Sequence, residues 1–249
     1  MLSGPVARVV SSLVLGALGA LAGAAGCGNP AGAAHDADVP DTAPRDAGPD
    51  ARDPVDASPY DAAPGPDLQF IAEEMVHSVV VTADNFRADD CEVLEGCVGA
   101  EGRRTLVRFD TVSANTGRDN VFVGAPPDPG IDNKMFEWSE CHKHHHVKNY
   151  ASYELLDASG VVLTARKQAF CLEDGEQIQP GVPATGYSCM NQGITHGWAD
   201  VYSRYLPCQW IDVTGLPSGQ YTLRIVVNPL HILPEANYDN NEFTVGVQF

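Results

Sequence analysis

The sequence predicts a mainly β protein: an antiparallel β-sandwich with long disulfide-braced loops, preceded by a signal peptide and a disordered tether. Short runs that alternate between apolar and polar residues recur from residue 67 onward, as half-buried strands do. Turns rich in Gly, Asn, Asp and Pro separate these runs. Six cysteines follow the predicted signal, and an even count in an exported chain is typical of a disulfide framework.

Residues 1–27 have the features of an export signal. Arg8 supplies a positive start, and a long apolar stretch follows it. The sequence Ala-Ala-Gly-Cys at 24–27 resembles a bacterial lipobox, in which Cys27 becomes the lipidated first residue. Ordinary signal-peptidase cleavage nearby, with Cys27 left as a thiol, is the alternative. No later apolar run is long enough to span a membrane, so we expect membrane attachment only through a lipid anchor.

Residues 28–66 are predicted to form a disordered tether. They are almost all Ala, Asp, Pro and Gly, so this segment has little apolar surface to bury. Eight Asp and two Arg give it a net charge of −6. Because the whole chain carries −18 and Arg8 contributes +1, the folded region 67–249 carries −13. Such a balance argues against nucleic-acid binding and favours cationic partners.

The strands of the folded region are predicted from their alternation and turns. They are expected at 76–82, 104–111, 150–156, 160–170, 208–214, 220–228 and 241–249. The turn at 157–160 predicts a hairpin between the third and fourth of these strands. The clearest alternation places four residues on one face, namely Tyr221, Leu223, Ile225 and Val227. The segments 83–103 and 171–200 are predicted to be ordered loops, where function is usually found.

A cluster of histidines is the strongest motif. Residues 141–146 read Cys-His-Lys-His-His-His and contain four of the eight histidines. On a strand, His142, His144 and His146 would project from one face. His145 would point away. Three imidazoles on one face form a metal site with open coordination positions, and copper binds such ligands most tightly among the divalent ions. A solvated polar strand without metal is the alternative.

Lys167 differs from the apolar residues around it. On a strand from 160 to 170 it shares a face with Val161 and Leu163. Burying a lysine is costly, and desolvation lowers the pKa of a buried lysine so that its amine becomes nucleophilic. The alternative, which spacing alone favours, is a lysine at the rim of the sheet with its amine in water.

Several segments together resemble the lysyl oxidase family. The histidine cluster is similar to the copper-binding Cys-His-x-His-x-His segment of that family. Residues 167–174, Lys-Gln-Ala-Phe-Cys-Leu-Glu-Asp, resemble the family's Lys-Ala-Ser-Phe-Cys-Leu-Glu-Asp. Further matching segments follow in family order at 192–195, 200–202, 208–214 and 229–241. Cys91 and Cys97 have the spacing of a family pair, so the resemblance covers 67–249.

The resemblance implies a copper amine oxidase with a lysine tyrosylquinone, a cofactor made from a Lys and a Tyr of the same chain. By motif these residues are Lys167 and Tyr202. The implied copper ligands are His142, His144 and His146. Tyr205 is the nearest rival to Tyr202, but it does not match, because the family tyrosine lies two residues after the Asp that corresponds to Asp200.

Disulfides and a calcium site are also implied by the resemblance. The implied pairs are Cys91–Cys141, Cys97–Cys208 and Cys171–Cys189, whereas the cysteine count alone leaves the pairing open. The implied calcium ligands are oxygen donors, namely Asp67, the Leu68 carbonyl, Glu235, Asn237, Asn240 and Asn241. Asn237 departs from the usual Asp of the family. A plain turn is the alternative for 237–241, since Asn and Asp favour turns.

The implied function is oxidative deamination of a primary amine, or of a lysine side chain in a protein, to an aldehyde. O2 is consumed, and H2O2 and ammonia are released. Asp200 is a candidate base because it has the strand parity of Tyr202; alternatively, it only orders its loop. One rival function is an exported copper- or zinc-binding protein without catalysis, which needs neither Lys167 nor Tyr202. The other is a zinc hydrolase, for which no suitable Glu stands beside the histidines.

Overall fold

The structure is a computed structural model that describes residues 64–165 and 170–249, apart from the Val162 side chain. The predicted signal, Cys27 and almost all of the tether lie outside the described residues, and so does Lys167. The described strands are β1 (Leu68–Phe70), β2 (Val80–Phe86), β3 (Gly102–Arg108), β4 (Thr111–Asn115), β5 (Val121–Gly124), β6 (Phe136–Ser139), β7 (His144–Val147), β8 (Ala151–Asp157), β9 (Gly160–Thr164), β10 (Glu176–Gln177), β11 (Gln192–Ile194), β12 (Trp198–Tyr202), β13 (Trp210–Asp212), β14 (Gln220–Val227) and β15 (Glu242–Gln248). The described helices are α1 (Ala72–Val76) and α2 (Cys91–Leu94).

Two four-stranded antiparallel sheets form the body of the fold. Their strand orders are β1-β4-β12-β10 and β15-β14-β8-β9. Smaller sheets are formed by β13-β3-β2, by β11-β5 and by β6-β7. One hydrophobic core joins the two larger sheets, with Ala114 and Tyr202 from the first and Tyr153 and Ile225 from the second. These findings confirm the prediction of a mainly β fold with antiparallel sheets.

Strand β14 follows its sequence pattern closely. Leu223, Ile225 and Val227 are fully buried, as the alternation predicts. Burying each such side chain stabilises the fold by roughly 1.5–3 kcal/mol. Between them, Arg224 places its Nε 3.0 Å from a carboxylate oxygen of Glu154 on β8. Strand β14 lies between β15 and β8 in its sheet and pairs antiparallel with both.

Several strand boundaries differ from the prediction. The strand expected over 160–170 ends at Thr164, so strand parity does not place Lys167 on an apolar face. The strand expected over 104–111 is divided into β3 and β4, and Asp110 lies between them. The Asp110 carboxylate accepts hydrogen bonds from the backbone and guanidinium of Arg204, at 2.5–3.1 Å. This contact between distant parts of the chain is not visible in local alternation.

The two predicted loops contain regular structure as well. Segment 83–103 includes the end of β2, helix α2 and the start of β3. Segment 171–200 includes β10, β11 and most of β12. Three disulfides stabilise these regions: Cys91–Cys141, Cys97–Cys208 and Cys171–Cys189. They are the pairs that the family resemblance implies, and each such bridge typically contributes about 2–4 kcal/mol. Neither described helix has the length and apolar character needed to cross a membrane.

Candidate metal centre

The hairpin of β6 and β7 presents the histidine cluster. Ser139 pairs with His144 across this hairpin, and the turn between them contains His142. Ser139 fixes the turn, because its carbonyl accepts from the Lys143 amide at 2.8 Å and its Oγ accepts from the His142 amide at 3.1 Å. Lys143 has a φ of 57°, in the left-handed region that is uncommon for residues other than glycine. His142 therefore comes from a turn and not from the strand that was predicted.

The three predicted ligands nevertheless come together. The ring centroids of His142 and His144 lie 5.7 Å apart, and those of His142 and His146 lie 5.8 Å apart. The centroids of His144 and His146 are separated by 4.9 Å. The turn thus brings the first imidazole to the face on which β7 presents the other two. Three neutral imidazoles are a donor set that suits copper, so these residues fit that metal.

His145 projects from the opposite face of β7. Its side chain is buried, and its Nε2 lies 2.9 Å from the Ile131 carbonyl. The ring packs edge-on against Trp138 and Phe136, with centroid distances of 5.0 and 6.2 Å. These contacts give His145 a role in packing the hairpin, separate from the three grouped imidazoles.

Two other clusters of ligand-type atoms lie near the histidines. His144 is close to the sulfurs of Cys171 and Cys189, and Glu95 is close to those of Cys97 and Cys208. Each pair of sulfurs forms a disulfide. Because a metal is bound by thiolates and not by disulfide sulfurs, neither cluster competes with the imidazoles as a donor set.

Tyr202, the predicted cofactor tyrosine, lies at the end of β12 and is 3% exposed. Its hydroxyl donates a hydrogen bond to the Cys171 carbonyl at 3.3 Å. The Tyr202 ring packs against Phe170, with a centroid distance of 4.7 Å. The same Phe170 ring lies 5.8 Å from that of His146. Phe170 therefore connects the histidine cluster to Tyr202, whereas Tyr205 is 84% exposed.

A buried polar layer surrounds Tyr202. Asp200 lies on the same face of β12 and pairs with Ser113 of β4. The Ser113 Oγ is 2.6 Å from the Tyr150 hydroxyl. Burial raises the pKa of Asp200 and of Tyr202 well above their ordinary values, and it raises the pKa of Tyr153 to about 12. Burial therefore disfavours the charged form of each of these groups.

The predicted calcium residues lie close together where the start of β1 meets the segment 235–241. The Leu68 amide donates to Glu235 at 2.7 Å, and the Asn240 amide is 3.3 Å from both oxygens of Asp67. Asn241 donates to the Glu235 carboxylate at 3.0 Å. The structure thus joins the first strand to the last hairpin, although the Leu68 contact is made by its amide and not by its carbonyl. Asn237 is exposed, and its side chain accepts from the Asp239 amide.

Comparison with known proteins decides the family. The family model described as Lysyl oxidase matches residues 66–249. This chain belongs to the lysyl oxidase family. Lysyl oxidase homolog 2 of Rattus norvegicus and that of Homo sapiens are each 32% identical to it over 189 residues, which is 71% of this chain and 23% of the relative. Lysyl oxidase homolog 2B of Danio rerio is 34% identical over 163 residues, 61% of this chain and 20% of the relative.

The match is confined to one region of the relatives, since the chain spans less than a quarter of their length. Lysyl oxidases form a family of copper-dependent amine oxidases that use a lysine tyrosylquinone. The grouped imidazoles and the buried Tyr202 of this lysyl oxidase domain lie in the matched region.

Glu95 is a residue of this lysyl oxidase domain that the sequence analysis did not identify. One of its carboxylate oxygens is 3.4 Å from the His142 Nε2, and the other accepts from the Ser139 Oγ at 2.7 Å. The Cys91–Cys141 disulfide brings its segment beside the histidine turn. A sequence signal did exist, because Glu95 lies between two cysteines of which one is implied to bond next to His142.

Proposed function

We propose that this lysyl oxidase domain is a copper-dependent amine oxidase that converts primary amines, or lysine side chains of proteins, to aldehydes. One amine, one O2 and one water yield one aldehyde, one ammonia and one H2O2. The observation that carries the proposal is the contact of one ring, Phe170, with both the imidazole cluster and the buried Tyr202. A metal and a tyrosine-derived cofactor would then lie within one site.

Each residue has a defined part in this proposal. His142, His144 and His146 hold the copper. Lys167, three residues before Phe170 in the chain, supplies the amine that is joined to the Tyr202 ring. When formed, the quinone supplies the electron-accepting chemistry that side chains lack.

The surroundings of Tyr202 suit such a cofactor. Phe170 and Tyr150 pack on its ring and exclude water from it. The Cys171 carbonyl accepts from its hydroxyl, and the Cys171–Cys189 disulfide anchors that carbonyl. The ring is thus held by packing on its sides and by a hydrogen bond at its oxygen, which favours one fixed orientation.

The direct test measures products from copper-loaded protein. We expect H2O2 and ammonia in equal amounts when a primary amine is supplied, and neither product from a tertiary amine of similar size. A protein that binds copper through its histidines but forms no peroxide with any primary amine would support the non-catalytic copper-binding alternative. Hydrolysis by the zinc-loaded protein, without oxygen consumption, would support the zinc-hydrolase alternative.

Export and anchoring remain part of the proposal. The positive start at Arg8 and the apolar stretch that follows it support an exported chain. We expect the mature protein to begin at Cys27 and to carry acyl chains there, as the lipobox predicts. Mass spectrometry of the mature N-terminus tests this, and the Cys27→Ser variant should move from the membrane to the soluble fraction. An unmodified N-terminus at another residue would contradict the anchor.

Salt dependence tests whether the acidic surface attracts the substrate. Residues 67–249 carry −13, so protonated amines are expected to be drawn toward the domain. The screening length falls from about 10 Å at 0.1 M salt to about 3 Å at 1 M. We therefore expect kcat/KM to fall with salt, and to fall more steeply for diamines than for monoamines. A chain beginning at Asp67 removes the acidic tether, and equal slopes on it would show that the surface does not select the substrate.

We also propose that calcium binds at the junction of β1 and the last hairpin. The side-chain oxygens of Asn240 and Asn241 are buried and have no hydrogen-bond partner among the described residues. Burial raises the pKa of both Asp67 and Glu235, whose carboxylates lie near these amides. A divalent cation coordinated by these oxygens would offset the cost of placing two partly buried negative charges close together.

Calcium should therefore raise the melting temperature of the protein. At a calcium concentration 100 times the dissociation constant, the gain is about 2.7 kcal/mol. Glu235→Gln should abolish this gain, because it removes a central charge of the cluster. Asp239→Asn is the matched control, since it removes one charge from the same hairpin at an exposed position. An equal calcium response in Glu235→Gln and the natural protein would contradict the site.

A further inference from the structure

Gln192 is a buried glutamine whose side-chain amide joins the histidine strand β7 to the segment 170–172. It is 0% exposed. Its Nε2 donates a hydrogen bond to the His145 carbonyl at 2.9 Å, and its Oε1 accepts one from the Leu172 amide at 3.0 Å. Because a backbone amide only donates and a carbonyl only accepts, these partners fix which end of the side-chain amide faces each segment.

The two backbone groups that Gln192 joins are a pair that would otherwise bond to each other. The Val147 amide on β7 donates to the Phe170 carbonyl at 3.2 Å. An antiparallel ladder that starts from this bond would next join the Leu172 amide to the His145 carbonyl, two residues along on each side. The Gln192 side chain bonds both of these groups instead. It therefore takes the place of a direct backbone hydrogen bond between β7 and the segment 170–172.

Strand β11 holds Gln192 in position for this contact. The pairing of β11 with β5 has a register shift between Gln192 and Gly193, and such irregularities re-aim side chains. A Cβ at Gly193 would lie 2.4 Å from the Val121 carbonyl oxygen, so the close approach of the two strands requires glycine there. The Gly193 amide also donates to the Leu172 carbonyl at 3.1 Å. Leu172 is thus bound to β11 directly by its carbonyl and, through the Gln192 side chain, by its amide.

The two bridged segments carry the two parts of the proposed site. On β7, the carbonyl that Gln192 binds lies between two proposed copper ligands, His144 and His146. On the other segment, the Cys171 carbonyl accepts from the Tyr202 hydroxyl at 3.3 Å. A shift of one segment against the other would therefore move the imidazoles relative to the Tyr202 ring.

We infer that Gln192 is a positioning residue of this site, whose amide fixes the offset between the copper-binding strand and the segment that binds the Tyr202 hydroxyl. This inference rests on the proposed function, in which Tyr202 becomes part of the quinone beside the copper. Gln192 acts through the His145 carbonyl and the Leu172 amide and transfers no group itself. Chemistry between positioned groups is sensitive to such an offset, since a displacement of about 1 Å can cost about 100-fold in rate.

NMR spectroscopy of the copper-free protein tests the bridge directly. We expect couplings across both hydrogen bonds, one from the Leu172 amide nitrogen to the Gln192 side-chain carbonyl carbon and one from the Gln192 Nε2 to the His145 carbonyl carbon. The coupling between Val147 and Phe170 is the internal control, and its detection without the two Gln192 couplings would overturn the inference. This measurement requires neither metal nor quinone. Failure of the proposed function is a different result, namely natural protein that forms no quinone with copper.

The Gln192→Met variant tests the consequence for the site. Methionine keeps the length of the side chain but has no N–H donor and no carbonyl acceptor. Hydrogen exchange of the Leu172 amide should become about tenfold faster, because the amide loses its acceptor. Copper should remain bound, since the three imidazoles are unchanged. Formation of the quinone after copper is added should slow about 100-fold.

The matched control is Ser78→Ala. Ser78 is also fully buried, and its Oγ likewise donates to one carbonyl, that of Met75 at 2.7 Å, and accepts from one amide, that of Asp110 at 2.9 Å. Both partners lie outside the bridged segments, so this variant should form the quinone at the natural rate. Equal slowing in the two variants, or an unchanged rate in Gln192→Met, would overturn the inference. If Gln192→Met does not fold, the couplings in the natural protein still decide whether the bridge exists.

Discussion

Replacing His142, His144 or His146 with alanine should in each case abolish copper retention, and amine oxidation with it. A three-imidazole site that loses one ligand retains only two protein donors. Loss of a residue that merely supports a metal ligand typically weakens binding 10–100-fold, so we expect at least about 100-fold here. Copper content after dialysis against a weak chelator measures the effect.

The matched control for these variants is His145→Ala. This residue lies on β7 between His144 and His146 but contacts Ile131, Trp138 and Phe136 on the other face. Its replacement should cost about 1–3 kcal/mol of stability through the lost hydrogen bond and packing, and leave copper bound. Equal copper loss from the His145 variant would show that the assignment of ligands by face is wrong.

Tyr202→Phe should eliminate the quinone absorbance and reduce peroxide formation to background, while copper remains bound. Phenylalanine preserves the ring contacts with Phe170 and Tyr150 and loses only the hydroxyl. The lost hydrogen bond to Cys171 should cost about 1 kcal/mol of stability, so the variant is expected to fold. The whole loss of activity is then attributable to the oxygen that the cofactor requires.

Tyr205→Phe is the control for this second prediction. Tyr205 lies three residues from Tyr202 but is 84% exposed, so its hydroxyl should be dispensable. Visible spectra and peroxide assays of the two variants, measured side by side, give the comparison. If Tyr202→Phe keeps the quinone absorbance and Tyr205→Phe loses it, the cofactor is formed from Tyr205 and the assignment to Tyr202 is wrong.

Local sequence patterns predicted those parts of the fold that depend on local periodicity. The alternation in β14 gave the buried face correctly, and strand parity placed His144 and His146 together on β7. His142 reaches the same cluster from a turn with Lys143 in the left-handed region, which parity does not describe. The resemblance to a family, and not the periodicity, therefore gave the sounder reason to expect these three imidazoles to lie together.

Contacts between distant segments were beyond local patterns. Glu95 reaches His142 because a disulfide joins residues 50 positions apart in sequence. The family motif includes Phe170 but assigns it no role. In the structure, its ring packs against the rings of both His146 and Tyr202. The strand predicted over 160–170 ends at Thr164, before Lys167. The role of Lys167 in the cofactor is therefore supported by the family resemblance alone.

The most direct test of the central claim is peptide mapping of copper-loaded, peroxide-producing protein. After proteolysis, the account predicts one species that contains the Lys167 peptide covalently joined to the Tyr202 peptide. It also predicts that this species is missing from protein prepared without copper and from Tyr202→Phe. Recovery of the two peptides separate and unmodified, from a sample that produces peroxide, would contradict the account.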